Sequence, residues 1–243
     1  MAFIPMDKCG FTKNGNIKLG AAMWVFSKLY GDMFHDVKRL GCSVKGTCGG
    51  CCEGCKHACY VKASYRYGSV IYGHAIRTLA MRENRNALFV HLDEQIERAK
   101  NKPAQVRIDQ SGELETADEY LKWIELARKH PNTDFYVYTK RYDIVTEILD
   151  SLGNDNIPTN FTTLISIWHE YGIKEFLYLA KYDCIKAFVY MDGCDDEEHG
   201  IHVQTMCKAY DENGKLDHNI TCDKCGKCFR HLSSCKVIGC SAH

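Results

Sequence analysis

The chain has 243 residues, 45% of them apolar and 26% charged, an ordinary composition for a globular protein able to bury a core. Lysine plus arginine equal aspartate plus glutamate at 31 each, so total charge points neither to nucleic acid nor to an anionic membrane surface. No apolar run approaches the roughly 18 residues of a membrane span, and the stretch Met1–Cys9 lacks the apolar core and cleavage site of a signal peptide. Fifteen cysteines without such a signal imply a reducing, cytoplasmic setting in which thiols stay free for metals.

Residues 1–20 read as an extended lead-in containing Cys9. Ala21–Leu29 has the aromatic and β-branched content of a first strand. A glycine-rich loop carrying Cys42 then runs into the cysteine segment Thr47–Tyr60. Residues 58–81 hold no proline, and apolar side chains recur there at helical intervals, so a helix is expected directly after the cysteines. A second helix is expected over 84–100, with Leu88, Leu92, Ile96 and Ala99 on one face.

Beyond Pro103 strands and helices alternate. Strands are expected at 104–109, 135–139, 162–168 and 185–191, and helices after Thr116, at 142–150 and at 174–181. Thr116 and Glu119 have the spacing of a capping box, and Tyr120, Trp123, Ile124 and Ala127 form the buried stripe that follows. Repeated βα units imply a parallel sheet with right-handed crossovers, either open and doubly wound or a partial barrel. The expected class is α/β, with 21–192 forming a partial TIM-like barrel that includes the cysteine loop 42–60. Residues 193–243 read as a metal-stapled, cysteine-rich tail rather than another βα unit.

Polar residues gather at the C-terminal ends of the expected strands: Arg107, Asp109, Gln110 and Ser111, then Thr139, Lys140 and Arg141, then Ser166, Trp168 and His169, then Asp192. In parallel α/β folds that edge is where ligands bind. Asp109, Ser111 and Lys140 are therefore candidate cofactor-binding residues.

Cys48, Cys51, Cys52, Cys55 and Cys59 fall within one short loop that has few apolar residues to pack with. Thiols so crowded in a reducing compartment hold zinc or an iron–sulfur cluster. Near the C-terminus, Cys222-x2-Cys225-x2-Cys228 is the triplet of ferredoxin-type [4Fe–4S] sites, completed by a remote thiol. Cys207, Cys235 or Cys240 is available for that place, and Lys224 and Lys227 would offset the cluster's negative charge. Zinc sites more often use two separated Cys-x2-Cys pairs, so this triplet leans toward iron. Cys184 reads as a buried small hydrophobe. Cys9, Cys42 and Cys194 read as unused thiols, with Cys42 near enough in sequence to join the first group.

Cys48-x3-Cys52-x2-Cys55 resembles the spacing with which radical S-adenosylmethionine enzymes hold a [4Fe–4S] cluster, leaving one iron open to the cofactor. It departs from that pattern at Gly54, where an aromatic residue is usual. Ser111-Gly112-Glu113 looks like the Gly-Gly-Glu segment that grips the cofactor's amino group in those enzymes. Several runs together resemble the bacteriophage gene product eighty-eight family. They are Thr47-Cys48 with Cys55, Cys59 and Tyr60; Val106–Glu113; Tyr120–Ala127; Phe135–Lys140; and Cys207 with Cys222, Cys225, Cys228 and Phe229, followed by Lys236–Gly239 and His243. The resemblance covers roughly residues 45–243. It implies that Cys48, Cys55 and Cys59 form one ligand set, and Cys207, Cys222, Cys225 and Cys228 another. Cys51 and Cys52 are extra to that pattern, and Gln110 and Glu113 stand where His and Asp are expected.

Three functions follow as expectations. The first is a radical-S-adenosylmethionine-like enzyme with two [4Fe–4S] clusters, in which Glu113 binds S-adenosylmethionine and the second cluster is auxiliary. The second is a non-catalytic iron–sulfur protein that carries electrons or modulates host metal metabolism, with every iron bound by thiol. The third is a zinc-stapled interaction module. The partners implied are a small-molecule or host-protein substrate or a redox partner, with neither membrane nor nucleic acid indicated.

Overall fold

A computed structural model describes residues 4–13, 19–20, 22–168, 171–191, 201–208, 219–229 and 235–240, so His169, Asp192, Cys194 and His243 lie outside the described residues. The first expected strand is β2 (Met23–Val25), which pairs antiparallel with the two-residue β1 (Thr12–Lys13). The loop after it contains a hairpin absent from the sequence reading, β3 (Phe34–Val37) with β4 (Cys42–Lys45), which forms a small separate sheet. Four residues a side is too short for alternation to register in sequence.

The single helix expected over 58–81 is broken into two pieces, with a further short helix before it. The short helix is α1 (Glu53–His57) within the cysteine loop, and the two pieces are a 3-10 segment Tyr60–Arg66 and α2 (Gly68–Glu83). Tyr67, at φ −99° and ψ 113°, supplies the break. The kink lets the Tyr65 hydroxyl reach both the Tyr30 backbone N–H at 3.2 Å and His74 Nδ1 at 3.0 Å. A continuous helix would point that phenol elsewhere. α3 (Arg85–Glu97) follows as expected and buries Leu88, Leu92 and Ile96 completely.

The alternating strands and helices fall close to their expected places. They are β5 (Gln105–Ile108), α4 (Ala117–Lys129), β6 (Asp134–Thr139), α5 (Tyr142–Leu152), β7 (Phe161–Trp168), α6 (Ile173–Leu179) and β8 (Ile185–Tyr190). Thr116 caps α4 by accepting from the Glu119 N–H at 3.1 Å. The return half of the box is not made. The Glu119 carboxylate, fully buried, instead takes the Glu115 N–H at 3.1 Å and the Lys28 ammonium.

The tail is not separate from the sheet. β9 (Thr205–Met206), α7 (Cys222–Cys225) and β10 (Val237–Cys240) follow β8, and β10 lies parallel between β8 and β9. The whole is a mixed α/β protein with seven α-helices among the described residues and an eight-stranded sheet, β1-β2-β5-β6-β7-β8-β10-β9, parallel except for β1. Because the order from β2 to β8 follows the chain, right-handed crossovers send the helices to one face. Phe135 and Val137 pack there with Trp123 and Val145, while Tyr136 and Tyr138 point to the other face with Leu164, Phe188 and Phe229. A doubly wound arrangement is thereby set aside. Among the described residues β1 and β9 pair only on their inner sides, so barrel closure is not seen.

Candidate functional site

The C-terminal ends of the parallel strands carry a chain of buried polar contacts. At the end of β5, Asp109 is in the left-handed region at φ 50°, the single non-glycine residue there among those described. Gly112 completes the turn at φ 91°, and a Cβ on it would lie 2.7 Å from Thr47 Oγ1 and 2.8 Å from Lys28 Cβ. No other residue fits that position.

Lys28, fully buried beside β2, holds this turn from below. Its ammonium donates to the Glu113 carbonyl at 2.7 Å and to the Glu119 carboxylate, and lies 3.3 Å from Asp109 Oδ2. Burial opposes the charge on Lys28, but Asp109 and Glu119 outweigh it and raise its pKa. Burial pushes the Asp109 carboxyl well up, Lys28 pulling the other way. The Lys28 contact is ionic without hydrogen-bond geometry, so neither Asp109 carboxylate oxygen has a hydrogen-bond partner.

The candidate cofactor-binding residues meet here, already tied to the fold. Ser111 donates its hydroxyl to the Lys28 carbonyl at 2.8 Å. Glu113 Oε1 accepts from the Leu114 N–H at 2.9 Å and from Thr139 Oγ1 at 2.6 Å, and Oε2 accepts from the Lys140 N–H at 2.9 Å. A carboxylate has about four acceptor sites, so Oε2 keeps one. The Lys140 ammonium lies beside Cys55; burial opposes its charge, yet Cys55 and Glu113 hold its pKa above the usual lysine value.

Both cysteine groups open onto one cleft of about 1320 Å³, mouth included. Cys48, Cys51, Cys55 and Cys59 line one part of it. Cys52, the N-cap of α1, is not a lining residue. Cys207, Cys222, Cys225 and Cys228 line another part. Of the candidates for a fourth thiol, Cys207 reaches the cleft, held by its N–H to the Gly239 carbonyl at 2.7 Å. Cys235 packs in the apolar cluster near Cys228, and Cys240 is buried in β10. Cys9 and Cys184 are buried and Cys42 is exposed on β4; none of the described cysteines forms a disulfide.

The second group is shaped by its own short loop. α7 is one turn long, and Gly226 at φ 68° reverses the chain so that Cys228 returns beside Cys222 and Cys225. Buried Lys186 donates to the Lys227 carbonyl at 2.7 Å, Thr162 Oγ1 to the Phe229 carbonyl at 3.3 Å, and the Asp223 N–H to the Leu19 carbonyl at 3.1 Å. Phe229 inserts against Tyr136 with ring centroids 5.2 Å apart. Burial pushes the thiols of Cys48, Cys51 and Cys55 up, in Cys55 against the nearby Lys140. It pushes Cys228 up to about 12, with the Tyr138 hydroxyl opposing.

Several participants escaped the sequence reading. Lys28 and Lys186 are lysines inside strand-like apolar runs, and their burial is the one signal that an otherwise apolar segment carries a charge inward. Trp168 and Tyr190 stack with centroids 4.2 Å apart and planes 11° from parallel. The edge of Trp168 covers Gly54, where a Cβ would lie 3.3 Å from the ring. Among the described residues the one group with single-ion spacing is Asp93, Glu97 and His130, on α3 and at the end of α4.

A mostly parallel sheet whose strand ends face a cleft lined by two cysteine groups defines a mixed α/β protein. The family model described as Gene product 88 matches residues 11–231, and the chain belongs to that family. Searches among curated proteins and among solved structures find no match.

Proposed function

We propose that this protein carries two [4Fe–4S] clusters facing one cleft and acts as a radical-S-adenosylmethionine-like enzyme. The observation that carries the reading is the shared cleft: two independent cysteine groups meet across it at the C-terminal edge of a parallel sheet. The donor sets fit such clusters. Each group offers several thiols, with Lys140 beside the first and Lys186 behind the second. The monotonic strand order with helices on one face also suits a sheet curled toward a partial barrel.

In this reading Cys48, Cys55 and Cys59 hold the first cluster and Cys207, Cys222, Cys225 and Cys228 the second. A cluster held there would supply the electron for cleavage of S-adenosylmethionine. Glu113 offers the free acceptor site on Oε2 to the cofactor's amino group, and Lys28 fixes the turn that aims it. Asp109 and Ser111 shape that turn. Lys140 balances thiolate charge at Cys55.

One observation favours the non-catalytic alternative. Cys51 also lines the cleft, so the first group has four thiols and can close every iron. The protein would then pass electrons to a partner or modulate metal metabolism. Both readings set it in a reducing cytoplasm, and no helix among the described residues is long and apolar enough to cross a membrane.

Anaerobic purification with iron, sulfide and zinc analysis tests the metal; zinc without sulfide overturns both iron readings and leaves the zinc-stapled module. Adding S-adenosylmethionine to the reduced protein tests the enzyme. The expected result is a changed cluster EPR signal and release of 5′-deoxyadenosine, and the absence of both leaves the electron carrier.

A further inference from the structure

The inner strand β5 sends into the cleft a cation that makes no ion pair among the described residues. Val106 and Ile108 point into the helix-side core, so Arg107 between them points to the cleft. Among the described residues its guanidinium makes no hydrogen bond and no ion pair, and its Nε is buried without a partner. Its neighbours are rings and the thiol of Cys222. The guanidinium carbon lies 4.6 Å from the centroid of Tyr138, and Tyr60 and Tyr136 are close by.

The other charged groups of the cleft are all engaged. Lys140 is beside Cys55, Lys227 donates to Thr205, Asp109 is next to Lys28, and Glu113 accepts three hydrogen bonds. A buried guanidinium that makes no hydrogen bond and no carboxylate ion pair among the described residues is costly unless something that enters the cleft pairs with it.

We propose that the cleft binds an organic carboxylate with an aromatic or apolar body, and that Arg107 docks the carboxylate end. The chemistry selects that class in three ways. A guanidinium presents paired N–H donors that match a carboxylate, and with one face against Tyr138 its edge is the side left to bind. A guanidinium whose other side faces rings offers one edge, which suits a monoanion better than a phosphate, which would call for further donors or charge. The walls beside it, including Tyr138, Phe188 and the stacked Trp168–Tyr190 pair, offer ring surface to the rest of the molecule. The site depends on the cleft and not on the metals, so it stands or falls separately from the function proposed above.

The test is calorimetry on anaerobically purified protein with two aromatic acids, 4-hydroxyphenylacetate and indole-3-acetate, and their uncharged amides. The acids are expected to bind at least about tenfold more tightly than the amides, the size of a lost charge-assisted pair. Arg107→Met is expected to abolish that preference while leaving circular dichroism and iron and sulfide per chain unchanged. Arg107→Lys is expected to keep the fold and part of the preference, and it carries the test should Arg107→Met not fold. Equal binding of acid and amide overturns the proposal. So does failure of both acids to bind at millimolar concentration, or an acid preference that survives Arg107→Met. Loss of iron from either variant with the fold intact also overturns it, since Arg107 would then be a counter-charge of the second cluster near Cys222. Native protein free of iron overturns the metal reading alone, because the comparison of acid with amide remains readable.

Discussion

Lys28 illustrates how much of the site rests on single buried charges. One ammonium faces the carboxylates of Asp109 and Glu119 and the carbonyl of Glu113, all away from water. Removing one partner of such a set leaves the others unpaired, which costs more than the set itself contributes. Lys28→Met is therefore expected to lower unfolding free energy by about 3–5 kcal/mol, read by urea denaturation, and the double variant Lys28→Met with Glu119→Gln should recover part of that loss. Unchanged stability in the single variant would mean that the carboxyls are already neutral. Gly54 gives a residue-scale test of a different kind. Gly54→Phe alone should clash with Trp168, whereas combining it with Trp168→Ala should restore folding as measured by thermal unfolding.

Among the elements, the contact between α3 and α4 is the one with a clear pH signature. Asp93 on α3 accepts from His130 at 2.7 Å and from Lys129 at 2.6 Å. Burial pushes its carboxyl up, but the hydrogen bonds from Lys129 and His130 outweigh burial and hold it below the usual 3.8. A carboxylate with a depressed folded pKa contributes stability that is complete above the unfolded value and disappears as pH falls through the folded one. Wild-type protein should thus lose stability that Asp93→Asn does not lose as pH falls below about 4, by the few tenths of a kcal/mol typical of a partly exposed pair. Parallel acid-titration curves for the two proteins would refute this. Thr116→Ala should cost about 1 kcal/mol by removing the α4 cap.

At the scale of the whole molecule the tail and the sheet depend on each other. β10 is an inner strand, while the α7 loop lies over the face carrying Tyr136 and Phe229. If the second cysteine group binds metal, stripping it with a chelator should loosen this face and not merely the tail, seen as loss of near-ultraviolet circular dichroism from buried tyrosines. Cys228→Ala should remove about four of about eight irons per chain, and Cys52→Ala should remove none. Loss of iron from Cys52→Ala would return the first cluster to the ligand choice through Cys52.

Strong local signals made much of this legible. The alternation of β6, the stripe of α4, the Thr116 cap and the two cysteine groups depend on neighbours in sequence, where periodicity and spacing act directly. Local signals failed where partners are distant. The Tyr65 hydroxyl just before the break at Tyr67 meets Tyr30 and His74, and buried Lys186 meets the carbonyl of Lys227. The sequence by itself determined the α/β class, the order of βα units and the thiol chemistry on offer. Only the tertiary structure decided that the cysteine segments share one cleft, that Cys52 stands outside its lining, and that the tail closes over the sheet. The reason is physical: spacing along the chain fixes what a segment can bind, but which segments meet is fixed by packing between residues far apart in sequence, such as Lys28 with Glu119 and Phe229 with Tyr136.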